Sequence, residues 1–171
     1  MRITLLRNAT LVVDPSLSRP RRRPPLSLIR SRPGRNPTVP LPEGSGERLA
    51  GITPGVGYLL RLPGEPSLYL SGDTVMTDEV RAVLERERPD VAVLHAGGAQ
   101  LDIGSPILMT LDEQLEFVRL APGRVIAVHL EALDHCGVTR ARLKDALTAA
   151  GLDSVDVPAD GETISVPGTA G

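Results

Sequence analysis

Val91-Ala92-Val93-Leu94-His95-Ala96-Gly97-Gly98 is the stretch from which the fold can be read. Four apolar residues in a row, closed by a histidine and a glycine pair, predict a strand buried on both faces, as parallel sheets require. Upstream, Thr77 precedes Asp78 and Glu79, acids suited to the positive end of a helix, and Val80, Val83 and Leu84 form the apolar stripe. Pro89 stops that helix. Downstream, Gly97-Gly98 opens a loop to Met109. Thr110 and Glu113 then have the spacing of a capping box ahead of Leu115, Phe117 and Val118, and Pro122-Gly123 closes the helix. Val125 to Val128 is another buried run. Thr139 to Ala150 follows as a helix with Leu143, Ala146, Leu147 and Ala150 on one face and Gly151 as its stop. Strands alternating with helices predict an α/β sheet.

Further out, Tyr58 to Leu62 and Leu68 to Leu70 read as a hairpin around Pro63-Gly64-Glu65-Pro66. Ile3 to Leu6 and Thr10 to Val13 read as two strands joined by Arg7-Asn8-Ala9. Val155 to Val157 and Thr163 to Val166 are short strands on either side of the Asp160-Gly161 turn. Between Asp14-Pro15 and about Ser45 no period survives. Residues 1–42 hold nine arginines against one acid, and eight of the sixteen prolines lie between Pro15 and Pro42. Ser18 to Arg35 is expected to be a loop or a disordered arm. The organisation predicted is a hairpin at 1–14, a Pro/Arg-rich linker at 15–56 and an α/β unit at 57–171.

Composition narrows the function. The chain has 171 residues, one domain's worth, with 41% apolar residues, enough for a core. Three aromatics (Tyr58, Tyr69, Phe117) argue against a surface that stacks bases, although the arginine arm could bind a polyanion such as nucleic acid. The single cysteine, Cys136, excludes an internal disulfide and a Cys-rich zinc module. Without an apolar run near ~20 residues or a signal-peptide core, the expected location is the cytoplasm, with no membrane partner.

In α/β sheets chemistry gathers where strands end. Three such ends carry a candidate ligand each: Asp73 after Leu70, His95 after Leu94 and His129 after Val128. Two imidazoles and a carboxylate form the donor set of many zinc and iron sites. Glu131 could fix the tautomer of His129 from behind. His135-Cys136 could add a donor pair, with Cys136 read rather as a buried, unreactive thiol.

In order, Met1 to Thr10, Asp14-Pro15, Gly72-Asp73-Thr74, Ala96-Gly97-Gly98-Ala99, Pro106 to Thr110, Val128-His129-Leu130-Glu131-Ala132 with His135-Cys136, and Pro158 to Glu162 resemble the metallo-β-lactamase-fold hydrolases. Within them the chain is similar to the branch that includes bacterial ascorbate-phosphate lactonases. The resemblance covers about three quarters of the chain. It implies an αββα sandwich of which mainly the C-terminal half is present. It also implies divalent metal, zinc or manganese, activating water against a carbonyl or phosphoryl centre of a small-molecule substrate. Asp73 would be the metal-bridging, catalytic carboxylate, and His129 a metal ligand. The strand-end reading, apart from the resemblance, adds His95 as a further candidate ligand, with Glu131 and His135 as candidates behind them.

The family's His-x-His-x-Asp-His cluster is absent, since the only histidines are His95, His129 and His135. An internally truncated member is therefore expected, with dinuclear hydrolysis lost or impaired and metal held weakly or not at all. A mononuclear site of Asp73, His95 and His129 is the sharper expectation. The alternative is a non-catalytic half-domain. In that reading an uncovered apolar sheet face would drive self-association, or pairing with a paralogue that supplies the missing ligands.

Overall fold

The computed structural model describes residues 1–7, 9–15, 29–30, 57–62, 64–100, 106–131 and 136–168. Among the described residues thirteen segments of regular structure form, most of them where the local signals place them. Strands β1 (Arg2–Arg7) and β2 (Thr10–Asp14) pair antiparallel as expected. The strands β4 (Tyr58–Leu60) and β5 (Leu68–Leu70) form the second hairpin. Helix α1 (Asp78–Ala82) begins at Thr77, whose side chain accepts the Val80 N–H at 3.3 Å. It widens into one π-helical turn over Val83–Glu87, and Arg88, at φ 44°, turns the chain out before Pro89.

Strand β6 (Val91–His95) extends the apolar run by one residue to include the histidine. Helix α2 (Leu111–Leu120) has the full capping box: Glu113 takes the Thr110 N–H at 2.8 Å, and Thr110 takes the Glu113 N–H at 3.4 Å. After β7 (Arg124–Val128), helix α3 (Arg140–Ala149) starts at Thr139 and ends at Gly151, whose φ of 68° suits a residue without Cβ. Strands β8 (Val155–Asp156) and β9 (Thr163–Ser165) complete the order, with β3 (Ile29–Arg30) between β2 and β4.

Two sheets result. The larger runs β3-β4-β5-β6-β7-β8, parallel from β5 to β8 and antiparallel from β3 to β5; the smaller runs β2-β1-β9. The period-two alternation of the strands sorts side chains cleanly. Tyr69, Ala92, Leu94, Val125 and Ala127 face the helices, packed with Leu84, Phe117, Leu143 and Leu147. Leu68, Val91, Val93, Ile126 and Val128 face the small sheet, packed with Ile3, Leu5, Ile164 and Val166. Among the described residues the layers are helices, large sheet and small sheet, three of the four in an αββα sandwich.

Two expectations change, and the strands about the last turn find their partners. Strands β8 and β9 flank their turn but part company, β8 joining β7 in the large sheet and β9 joining β1 in the small one. Within the supposed loop of Ser18 to Arg35, Ile29–Arg30 forms a strand on β4; the rest of that arm lies outside the described residues. The apolar sheet face expected to lie open is covered. Val91, Val93 and Ile126 are fully buried against β1 and β9, so the hydrophobic argument for self-association loses its surface. Among the described residues the outer side of the small sheet is the more exposed face, where Thr4 and Thr163 share a 2.8 Å hydrogen bond beside exposed Leu6 and Val12.

Candidate functional site

Because β5, β6 and β7 are adjacent and parallel, their C-terminal ends lie along one edge of the sheet. Register carries this through residue by residue: Leu70 pairs with Val93, and His95 with Val128. Each strand exit is braced to its neighbour. The Ser71 N–H donates to the Val93 carbonyl at 3.0 Å, the His95 N–H to the Ser71 hydroxyl at 3.3 Å, and the Ala96 N–H to the Val128 carbonyl at 2.8 Å. Gly72, at φ 67°, makes the turn that places Asp73 over the edge.

Asp73, His95 and His129 meet there. One Asp73 oxygen, Oδ1, lies 2.7 Å from His95 Nδ1 and 3.5 Å from His129 Nε2, and the two rings stand 5.4 Å apart at 43°. One donor atom from each of the three residues lies within 4.8 Å of the others. Depth is graded: the Asp73 side chain is 54% exposed, His95 12% and His129 7%, giving a carboxylate mouth over an imidazole floor. The His95 ring beside it holds the Asp73 carboxyl below the usual carboxylate range, with burial pulling the other way and both imidazoles adding attraction.

The donor set fits one divalent ion. Three protein ligands of this kind are what a catalytic zinc has, the fourth position being left for water or substrate. As described, the 2.7 Å contact is a hydrogen bond. Two donors on a tetrahedral ion with bonds of about 2.0 Å stand about 3.3 Å apart, so an ion would replace the bridging proton and push the pair slightly open.

The remaining candidates fall elsewhere. Glu131 is turned to α3, its oxygens taking the Arg140 N–H at 2.8 Å and the Arg140 guanidinium at 2.7 Å. His135 lies outside the described residues. Cys136, buried, brings its Sγ to 3.8 Å from His129 Nδ1, on the ring edge away from Asp73. An antiparallel bridge between Ala99 and Cys136 and the Val138 N–H to Gly97 carbonyl bond at 3.0 Å hold it there. Nothing local signals this contact; the faint clue is that Cys136 stands seven residues after His129 on the far side of a loop.

The layers of helices and two sheets thus carry a carboxylate and two imidazoles at the carboxyl edge of parallel strands. The same fold occurs in known proteins of related sequence. The chain is 35% identical over 124 residues to the UPF0173 protein YddR of Bacillus subtilis, 70% of this chain and 48% of that protein. An isothiocyanate hydrolase from Delia radicum gut bacteria is 31% identical with a TM-score of 0.62, covering 66% of this chain and 44% of that one. A "possible metal-dependent hydrolase" of Veillonella parvula is likewise 31% identical with a TM-score of 0.62, covering 67% and 45%. No protein-family model matches the chain. The chain has the metallo-β-lactamase fold in part and is similar to these proteins over about two thirds of its length. It spans about half the length of the curated relative it matches. No helix among the described residues is long and apolar enough to cross a membrane.

Proposed function

We propose that Asp73, His95 and His129 hold a single divalent ion, zinc or manganese, and that the chain is a metal-dependent hydrolase-like protein. Its site is mononuclear, and two-metal hydrolysis is lost or strongly impaired. The observation that carries this is the convergence of three donors from three strand ends within 4.8 Å. The sequence has no His-x-His-x-Asp-His string, and among the described residues the three donors form one cluster. A bound ion would supply Lewis acidity to a carbonyl or phosphoryl oxygen and a lowered water pKa.

The chain's own groups do the rest. His129, at the buried floor, fixes the depth at which a ligand is held. His95 forms the wall, and before an ion enters, its 2.7 Å bond orients Asp73. Asp73, at the exposed mouth, keeps its negative charge near neutral pH and offers the remaining oxygen lone pairs to an incoming proton. The substrate class is a small molecule with a hydrolysable carbonyl or phosphoryl centre, in keeping with the hydrolase relatives.

Calorimetric titration with zinc and manganese tests the reading, alongside elemental analysis of protein purified without chelator. One equivalent per chain is expected, with binding weakened at least tenfold in His129→Ala and Asp73→Asn. A folded wild-type chain that takes no metal, or a His129→Ala variant that binds equally well, defeats it.

A further inference from the structure

The chain turns at His129 in a way that a side-chain-bearing residue seldom does. His129 has φ 62° and Glu131 φ 61°, the left-handed region in which Cβ crowds the neighbouring carbonyl. Two such residues in three positions persist only where the surroundings hold them. Leu130, between them, is 2% exposed and packed in the helix-side core. Glu131, beyond it, is held at both oxygens by Arg140. The same guanidinium donates to Asp160 at 2.9 Å and to the Pro158 carbonyl at 3.0 Å. One arginine at the first turn of α3 therefore joins the turn after β7, its own helix end and the connection from β8 to β9.

We propose that Glu131 and Arg140 form a clamp that positions His129, acting through the backbone of residues 129–131 and not through the imidazole. The clamp keeps the turn left-handed, and that turn holds Nε2 3.5 Å from Asp73. Released, the turn relaxes toward extended backbone and carries the ring away by more than the ~0.2 Å a metal site tolerates. The Arg140 guanidinium meets three partners along a planar fork, so a lysine at that position keeps the charge and loses the geometry. The inference rests on the reading of Asp73, His95 and His129 as one site.

The test reads the imidazole and the metal separately. In metal-free protein, nitrogen–proton correlation spectra of the histidine rings should show the His129 signals displaced in Glu131→Ala and Arg140→Lys, more than those of His95. Zinc affinity should fall about tenfold or more in both variants, as when outer partners of metal-bound imidazoles are removed. Glu131→Gln keeps an acceptor for the Arg140 N–H and should restore most of both readouts, and it serves where the alanine variant folds poorly. Glu131→Gly relieves the left-handed strain, so it should melt above Glu131→Ala yet bind zinc no more tightly. Unmoved His129 signals in Glu131→Ala, or wild-type zinc affinity in Glu131→Gly, overturn the clamp. If the wild-type chain takes no zinc, the metal reading fails, and the ring spectra still decide the clamp.

Discussion

A methyl group added to Gly97 should damage the proposed metal site from behind. Its Cβ would stand 2.4 Å from the His129 carbonyl oxygen, 2.9 Å from Cys136 Sγ and 3.3 Å from His129 Nδ1. Ordinary contact begins at 3.4 Å, so the His129 carbonyl must yield by about 1 Å. That oxygen belongs to backbone turned left-handed and followed by buried Leu130, so it cannot swing aside as a side chain would. Overpacking of this kind costs about 1–3 kcal/mol, or a few degrees of Tm for each kcal/mol. The displacement also exceeds the ~0.2 Å tolerance of metal–ligand bonds, so Gly97→Ala should weaken zinc binding about ten- to a hundredfold. Gly151→Ala is the control. Gly151 has φ 68° with no atom within 4 Å of the added methyl, so it should lose about 1 kcal/mol through backbone strain and keep its zinc affinity. Urea unfolding and zinc calorimetry on the three proteins decide the matter. Wild-type zinc affinity in Gly97→Ala, or an equal loss in Gly151→Ala, would refute the reasoning.

Phe117 is fully buried and stacks on Tyr69 at 6.4 Å and 16°, so Phe117→Ala should cost about 3–5 kcal/mol in urea unfolding. A loss under about 1 kcal/mol would mean that α2 does not anchor the sheet. Asp90 accepts the Ser67 N–H at 2.8 Å and the Ser67 hydroxyl at 2.7 Å, and these bonds, the hydroxyl first, hold its carboxyl below the usual range. Because the folded-state pKa is depressed, the stabilisation is complete above the unfolded value of about 3.9 and fades as pH falls toward the folded value. The stability gap between wild type and Asp90→Asn should therefore be widest near neutrality and narrow below about pH 4. A gap that stays constant down to pH 2 would show that the bonds do not depend on the charge.

Much of the fold was legible because its signals are local. Thr77, Thr110 and Thr139 cap the helices at which they stand, since a hydroxyl needs only the N–H two or three residues on. Val91 to Leu94 and Val125 to Val128 read as buried strands because no polar residue interrupts either run. Strands β8 and β9 were legible as strands, but not their partners. Two short segments around a turn suit a hairpin equally well, and only the packing of Ile164 and Val166 against Ile3 and Leu5 draws β9 to the other sheet. Glu131 was legible as a carboxylate near His129, but not as the partner of Arg140 nine residues on. Only the fold brings the Arg140 guanidinium to 2.7 Å from that carboxylate.

What the sequence determined by itself is a set of strand ends, each bearing one polar residue: Asp73, His95 and His129, next to runs too apolar to be anything but interior. What only the tertiary structure decided is that these ends are neighbours. Residues 22 and 34 positions apart meet within a few ångströms because β5, β6 and β7 lie side by side, parallel and in register. Hydrophobic periodicity specifies which face of a strand is buried, whereas adjacency and register arise from packing two faces at once, against the helices on one side and β1 and β9 on the other.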